Sequence, residues 1–216
     1  MMTEAEISSA SEQTRARLLE AAREVFSQHG FQGATVREIC RRAEANVAAV
    51  NYHFGSKEAL LTEALNFSQL SALLRDNLKA ATCPKERLRL FLHDFMLLLL
   101  DEKNASSQCR IMARELADPT PALDQIVTEA IVPLHKFLGK LLREIVGDGI
   151  GEAELRRCVY SILGQCQFYR HSHPVLQRLH PRLRYDTKEI EAIAHHIAEF
   201  SLAGLASASA AGKKQA

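Results

Sequence analysis

Apolar residues recur at spacings of three and four along nearly the whole chain, which is the period of an α-helix packed on one side. Short polar stretches containing glycine or proline interrupt this pattern, and no segment shows the alternation of a β-strand. The pattern therefore predicts an all-α fold. The predicted helices lie at 13–29, 35–45, 47–54, 57–82, 85–101, 108–117, 122–146, 152–171 and 188–205, with a short helical turn within 175–183. Pro133 is expected to kink or split the helix that contains it.

The segment 35–57, TVREICRRAEANVAAVNYHFGSK, is predicted to form two short helices joined by a tight turn. Thr35 and Glu38 have the spacing of a capping box, in which the hydroxyl accepts from the Glu38 N–H and the carboxylate reaches back. Asn46 can cap the second helix and Gly55 can end it. Two helices so short and so close together favour a helix-turn-helix, whose second helix lies in the DNA major groove.

The second of these helices has two distinct faces. Val50 and Phe54 lie four residues apart and are predicted to face the core. The other face is small and uncharged, and asparagine can pair with adenine while valine and alanine contact a thymine methyl group. The predicted base-reading residues are Val47, Ala48 and Asn51, and the predicted phosphate contacts are Thr35, Arg37, Tyr52, His53 and Lys57, with Arg41 and Arg42 nearby. The same pattern also fits an ordinary helical hairpin with a solvated charged face.

The stretch from Arg17 to Leu61 resembles the DNA-binding domain of the TetR family of bacterial transcriptional regulators. The run YHFGSKEAL at 52–60 is the most specific part of the match. Three positions depart from the family pattern: Glu44 replaces a turn glycine, Ala45 replaces valine and Asn51 replaces the common tyrosine. We expect Glu44 to cost little if its φ is negative, and Asn51 to change which bases are read.

Residues 83–205 resemble the body of a TetR-family regulator, in particular a subgroup with a CerR-like C-terminal domain. The stretches DPTPALDQIVTEAIVPLHKFL and GQCQFYRHSHPVL carry this resemblance. It implies that the last two long helices of each subunit form a four-helix dimer interface. Both helices have apolar stripes that fit this role, and the alternative is that the stripes pack only on their own subunit. The predicted interface residues are Leu155, Val159, Ile162, Cys166, Ile193, Ile197 and Phe200.

The resemblance also implies that the body binds a small effector. Its helices are apolar with few polar interruptions, which suits a small, largely apolar or aromatic molecule. Arg110 and Arg114 share one helix face, so an anionic headgroup also fits, although Glu115 could neutralise one of them. The candidate effector contacts are His93, Cys109, Arg110, Met112, Arg114, His135, Gln165 and Tyr169.

Composition and the chain ends complete the expected organisation. Lys plus Arg number 27 against 26 Asp plus Glu, so net charge does not indicate nucleic acid. The polar, acidic start does not resemble a signal peptide, and five cysteines without paired spacing fit a reducing compartment, so we expect a cytoplasmic protein. The expected parts are a flexible arm at 1–12, a helix-turn-helix domain at 13–62 with a connector helix to about 82, a body at 83–205 and a disordered tail at 206–216.

The sequence favours a ligand-responsive repressor that binds a palindromic operator in double-stranded DNA as a homodimer. A redox- or metal-responsive regulator is the first alternative, because Cys166 could meet its symmetry mate and His171, His173 and His180 lie close in sequence. A helical enzyme or lipid carrier is the second. No metal site, cofactor, catalytic motif or membrane association is predicted.

Overall fold

The computed structural model describes residues 4–65, 67–79, 83–100 and 107–212, except for the side chains of 4–8, 69, 77–79, 107–109 and 211–212. These residues form α-helices joined by short turns, and they include no strand, which confirms the all-α prediction. The helices are α1 (Glu4–Gly33), α2 (Val36–Arg42), α3 (Ala48–Phe54), α4 (Lys57–Leu65), α5 (Ser68–Lys79), α6 (Pro84–Leu100), α7 (Ser107–Ala117), α8 (Ala122–Ile126), α9 (Val132–Val146), α10 (Glu152–His171), α11 (His173–Leu179) and α12 (Thr187–Gly212). None of these helices is long and apolar enough to cross a bilayer.

The chain divides into two compact units, and the first is not continuous in sequence. It comprises Met1–Asn66 and Ser106–Thr128, so α7 and α8 belong with α1 to α4. Within this unit α1 packs against α2, α4 and α7, while α4 also packs against α3, α7 and α8. The buried side chains include Leu18, Ala22, Phe26, Ile39, Val50, Phe54, Leu60, Leu61, Ile111 and Ile126. The domain boundary expected from the sequence therefore misses two helices of this unit.

The second unit comprises Phe67–Ala105 and Glu129–Ala216. Helix α6 is its central element, because it packs against α5, α9, α10 and α12. The apolar residues of α6 occupy a broad face on which Phe91, Phe95 and Met96 are buried. The rings of Phe91 and Phe95 stack with centroids 5.2 Å apart. A helix with so wide an apolar face is buried on several sides, as the run of leucines predicts.

Pro133 splits the predicted helix 122–146 as expected. Helix α8 gives way to a π-helical segment at Val127–Ile131, and α9 begins with Pro133 in its first turn. A proline lacks the N–H that would bond to the carbonyl four residues earlier, and its ring clashes with that carbonyl. The wider π turn accommodates this loss, since such bulges appear where the regular ladder is interrupted.

Three predicted boundaries differ from the structure. Helix α1 extends back to Glu4, so residues 4–12, expected in the flexible arm, are helical. Helix α12 continues to Gly212 through the alanine-rich start of the expected tail, and alanine has the highest helix propensity. The connector predicted at 57–82 is not one helix: α4 ends at Leu65 and α5 begins at Ser68.

Candidate nucleic-acid interface

Helix α2 begins as the sequence predicts. Thr35 has extended backbone angles, and its hydroxyl accepts a hydrogen bond of 3.1 Å from the Glu38 N–H. This bond satisfies one of the N–H groups that the first turn of a helix leaves without a partner. Ile39 and Cys40 are buried on the inner side of α2. Thr35 and Arg37 lie exposed at the start of the helix, so both are accessible from outside.

The turn between α2 and α3 corrects one expectation. Glu44 has φ +50°, and it is the one non-glycine residue with positive φ among the described residues. This left-handed conformation costs an L-residue with a Cβ roughly 1–2 kcal/mol. The condition under which Glu44 would cost little, a negative φ, is therefore not met. Asn46 then caps α3 by accepting from the Ala48 N–H at 2.9 Å, and Gly55 ends the helix with φ +77°.

Helix α3 has the two faces that the sequence predicts. Val50 and Phe54 are buried within the first unit. Val47 is 50% exposed, and Ala48 and Asn51 are also exposed on the outer side. All three predicted base-reading residues thus lie on one accessible, uncharged surface. We call Val47, Ala48 and Asn51 the outer face of α3.

The two aromatic residues that follow the outer face are also accessible. Tyr52 is 79% exposed and His53 is partly buried. Their rings meet edge to face with centroids 4.8 Å apart. This contact limits the conformations open to both side chains.

Glu38 forms ion pairs with two of the three arginines on α2. Its carboxylate accepts two hydrogen bonds from Arg41, at 2.9 and 2.7 Å, and one from Arg42 at 2.8 Å. These bonds hold the pKa of Glu38 down at about 2. The returning bond to Thr35 that completes a capping box is therefore not made, because the carboxylate has stronger charged donors. No hydrogen bond or ion pair to another described residue holds Arg37.

Lys57 makes contacts that the sequence did not predict. Its Nζ donates to the carbonyl oxygen of Phe31 and lies 4.3 Å from the centre of the Phe31 ring. Desolvation by burial lowers the pKa of Lys57, and the nearby Glu58 opposes this shift only in part. Lys57 thus braces the start of α4 against the end of α1. The Phe31 carbonyl accepts from one of the three N–H donors of the ammonium group, so the predicted phosphate contact of Lys57 stays a prediction.

Helix α7 braces the same end of α1 from another direction. The Arg114 guanidinium donates to the carbonyl oxygen of Gln28 at 2.9 Å, two residues before Gly30 breaks the helix with φ +66°. A cation at the carboxyl end of a helix is favourable because it meets free carbonyl groups and the negative end of the dipole. Nearby, the hydroxyl of Thr62 donates to the Gln125 side chain at 2.7 Å. Sequence spacing gave no signal for these contacts, which join residues 63 and 86 positions apart.

The predicted effector contacts are divided between the two compact units. Arg110, Met112 and Arg114 lie on α7 in the first unit, and the side chain of Cys109 lies outside the described residues. The remaining four belong to the second unit and have separate partners. His93 contacts Asp94, His135 contacts the Tyr160 ring, Gln165 donates to Ser161 and Ser201, and the carbonyl of Tyr169 accepts from Tyr185. Glu115 is buried and accepts from Thr120, a contact that the sequence did not suggest.

Most of the predicted dimer residues are buried within their own subunit. Six of the seven are at most 6% exposed and belong to the core of the second unit: Leu155, Val159, Ile162, Cys166, Ile193 and Ile197. The prediction is wrong for these six, because side chains already packed in one subunit present no surface to another. Phe200 alone is exposed, at 64%. The opposite side of α10 exposes Tyr160 and Phe168, at 56% and 55%.

The structure does not favour a sensor built on Cys166. Its thiol is fully buried, and desolvation raises its pKa to about 12. A thiol reacts as the thiolate, so the burial of Cys166 and its raised pKa both disfavour reaction at neutral pH. Among the described residues no three histidine, cysteine or carboxylate side chains are arranged to hold a metal ion.

Comparison with known proteins assigns both parts of the chain. Residues 18–64 match the model of bacterial regulatory proteins of the tetR family. Residues 84–205 match the C-terminal domain of the HTH-type transcriptional dual regulator CecR. The C-terminal domain described above as CerR-like is therefore of the CecR type. CecR of Shigella flexneri is 25% identical over 173 residues, covering 74% of this chain and 76% of that protein.

Two solved structures share the fold. FadR of Bacillus subtilis in complex with stearoyl-CoA has a TM-score of 0.68 at 19% identity, covering 88% of this chain and 98% of that one. AibR in complex with isovaleryl coenzyme A and operator DNA has a TM-score of 0.65 at 20% identity, covering 87% and 97%. The second family match alone spans more than half of the chain. The chain therefore belongs to the TetR family of transcriptional regulators, in the group with a CecR-type C-terminal domain, and it is not an enzyme.

Proposed function

We propose that this regulator is a repressor that binds a palindromic operator as a two-fold dimer and leaves it when an effector binds. The observation that carries the DNA-binding part is the outer face of α3, which is exposed and uncharged while Val50 and Phe54 anchor the opposite side. Base edges are read by small or hydrogen-bonding side chains that can approach them closely, and Asn51 is the residue of this face suited to adenine. Thr35, Arg37, Tyr52 and His53 supply the contacts to phosphate.

The test separates reading of bases from attraction to phosphate. An operator duplex is selected by the purified protein from a random pool, and every single-base variant of it is measured. Asn51→Ala should cost about 1–3 kcal/mol and relax choice at one base pair of each half-site. Arg37→Ala should instead weaken all duplexes alike and lower the salt slope by about 1 per head. If Asn51→Ala discriminates among the variants as wild type does, α3 is not the reading helix.

The dimer is proposed to form through the exposed side of α10 and α12. Tyr160, Phe168 and Phe200 offer large apolar side chains there, and the exposed Gly164 and Gly204 lie among them. Small residues let two helices approach closely while aromatic residues supply most of the buried area. A two-fold interface places the same surface on both subunits, so the half-sites of the operator must mirror each other.

The effector is proposed to be a largely apolar molecule, because the core of the second unit is built from leucine, isoleucine and phenylalanine. The acyl-CoA ligands of FadR and AibR support an acyl chain with a polar headgroup over a compact aromatic compound. Such an effector must bind the released state better than the operator-bound state, and operator must then weaken effector binding by the same factor.

Titrations of isovaleryl-CoA, stearoyl-CoA, free stearate and benzoate, with and without operator, test this proposal. The expected result is that an acyl-CoA binds, and that its affinity falls when operator is present. Equal affinities with and without operator, for a molecule that binds, would show that its site does not control DNA release.

A further inference from the structure

The three arginines of α2 are held differently. Arg37 and Arg41 are four residues apart, so they lie on the same side of the helix, and both are exposed. Arg42 lies on the side that faces α1, where its guanidinium donates to Gln28 at 3.0 Å and approaches Glu24 at 3.4 Å. Arg42 therefore braces α2 against α1, while Arg37 and Arg41 point to the surface.

Glu38 treats the two remaining arginines unequally. It leaves Arg37 alone, but it engages Arg41 through two parallel hydrogen bonds, from Nε at 2.9 Å and from Nη2 at 2.7 Å. Among the described residues Glu38 is the one partner of Arg41, whose side chain is 70% exposed. This is the fork geometry in which arginine binds either a carboxylate or a phosphate.

We propose that Glu38 competes with DNA phosphate for Arg41. In the free protein Arg41 is bound to Glu38, and it moves to a phosphate of the DNA backbone only when the protein binds operator. The inference rests on the proposed placement of α3 in the major groove, which brings the same surface of α2 to the phosphates. Glu38 is itself fixed in the first turn of α2, because its N–H is bonded to Thr35.

The ion pair between Glu38 and Arg41 should lower the affinity for random-sequence DNA more than the affinity for operator. Binding to random sequence depends almost wholly on phosphate contacts, so a cation held by Glu38 is a direct loss to it. On the operator, base contacts fix the register of the protein on the duplex, and a phosphate can then be placed close enough to displace the carboxylate. Glu38 would thus raise the ratio of operator affinity to random-sequence affinity without touching a base.

Removing Glu38 tests this directly. Glu38→Gln should tighten binding to a random 30-bp duplex by about 3–10-fold and steepen its salt dependence by about 1 per head, since one more cation meets phosphate. In an Arg41→Gln background the same change should have little effect. Glu154→Gln is the matched control: it removes a carboxylate from another surface pair, with Arg157 at 2.7 Å, and should leave both affinities unchanged. An undiminished effect of Glu38→Gln in the Arg41→Gln background would overturn the proposal.

A second comparison keeps Glu38 and its brace with Arg42 intact. Arg41→Gln alone should weaken binding to the selected operator by several-fold while barely changing binding to the random duplex. Arg37→Gln, which removes an arginine that Glu38 does not hold, should weaken both. If Arg41→Gln and Arg37→Gln give the same pattern, Arg41 does not move from Glu38 to phosphate and the inference is wrong.

The proposed function is tested separately in the same assay, by whether wild type prefers the selected operator and Asn51→Ala loses this preference.

Discussion

A single residue, Glu44, carries the backbone strain in the turn between α2 and α3. The left-handed backbone at Glu44 is needed to redirect the chain within a few residues, and a glycine would adopt it without a steric penalty. The sequence identified Glu44 as a departure from the family pattern but could not give its φ, because the backbone angle depends on how the two flanking helices pack. A strained residue beside a binding surface is a local cost that the rest of the unit must offset.

Glu44→Gly should therefore stabilise the protein by up to about 1 kcal/mol, since relief of strain exceeds the extra chain entropy of glycine in the unfolded state. Thermal unfolding measures this gain. Glu44→Ala is the control, because it removes the carboxylate but keeps the Cβ and the strain. An equal gain from both variants would show that charge, rather than backbone conformation, is the cost at this position.

The low pKa of Glu38 predicts an acid-sensitive contribution to stability. The folded-state value of about 2 lies below the ordinary value of 4.5, so the carboxylate stabilises the fold fully above pH 4.5. This contribution is lost as the pH falls from 4.5 towards 2. The difference in melting temperature between wild type and Glu38→Gln should accordingly narrow over that window. A difference that stays constant from pH 6 to pH 3 would contradict the assignment.

At the scale of elements, the sequence predicted that helices form but not what each face meets. The apolar stripes of α10 and α12 are real, and the spacing that revealed them is the spacing that buries them in their own subunit. An apolar stripe predicts that one side of a helix is buried. It does not predict whether the same subunit or a second subunit buries it, because that depends on contacts between residues distant in sequence. The caps at Thr35, Asn46 and Gly55 were predictable because each acts within a few residues of itself.

An aspartate should therefore have different effects on the buried and the exposed side of α12. Ile197→Asp places a charge in the core of the subunit, where it has no partner, and should lower the melting temperature severely or prevent folding. Phe200→Asp changes an exposed residue of the proposed interface and should give folded monomers. Sedimentation and thermal unfolding together distinguish these results. A folded dimer of Phe200→Asp would exclude this side of α12 from the interface.

For the whole molecule, charge placement matters more than net charge. The formal net charge is +1, so the protein as a whole hardly attracts DNA. Binding must come from local contacts, and affinity for operator should still fall steeply with salt, with a slope of roughly −5 if each head neutralises about three phosphates. Titrations between 50 and 200 mM salt measure this slope. A slope near zero would mean that phosphate contacts do not contribute.

The grouping of α7 and α8 with the first four helices has a consequence for protein engineering. Regulators of this kind invite modular exchange, in which one DNA-reading segment is cut near residue 66 and joined to another sensor. In this protein such a cut would leave behind Ile111, Ile126, Arg114 and Gln125, which cover or brace α1 and α4. A working chimera must therefore carry residues 106–128 with the N-terminal segment, as two inserts separated by the recipient's own sequence. The portable part is defined by contact and not by a continuous stretch of the gene.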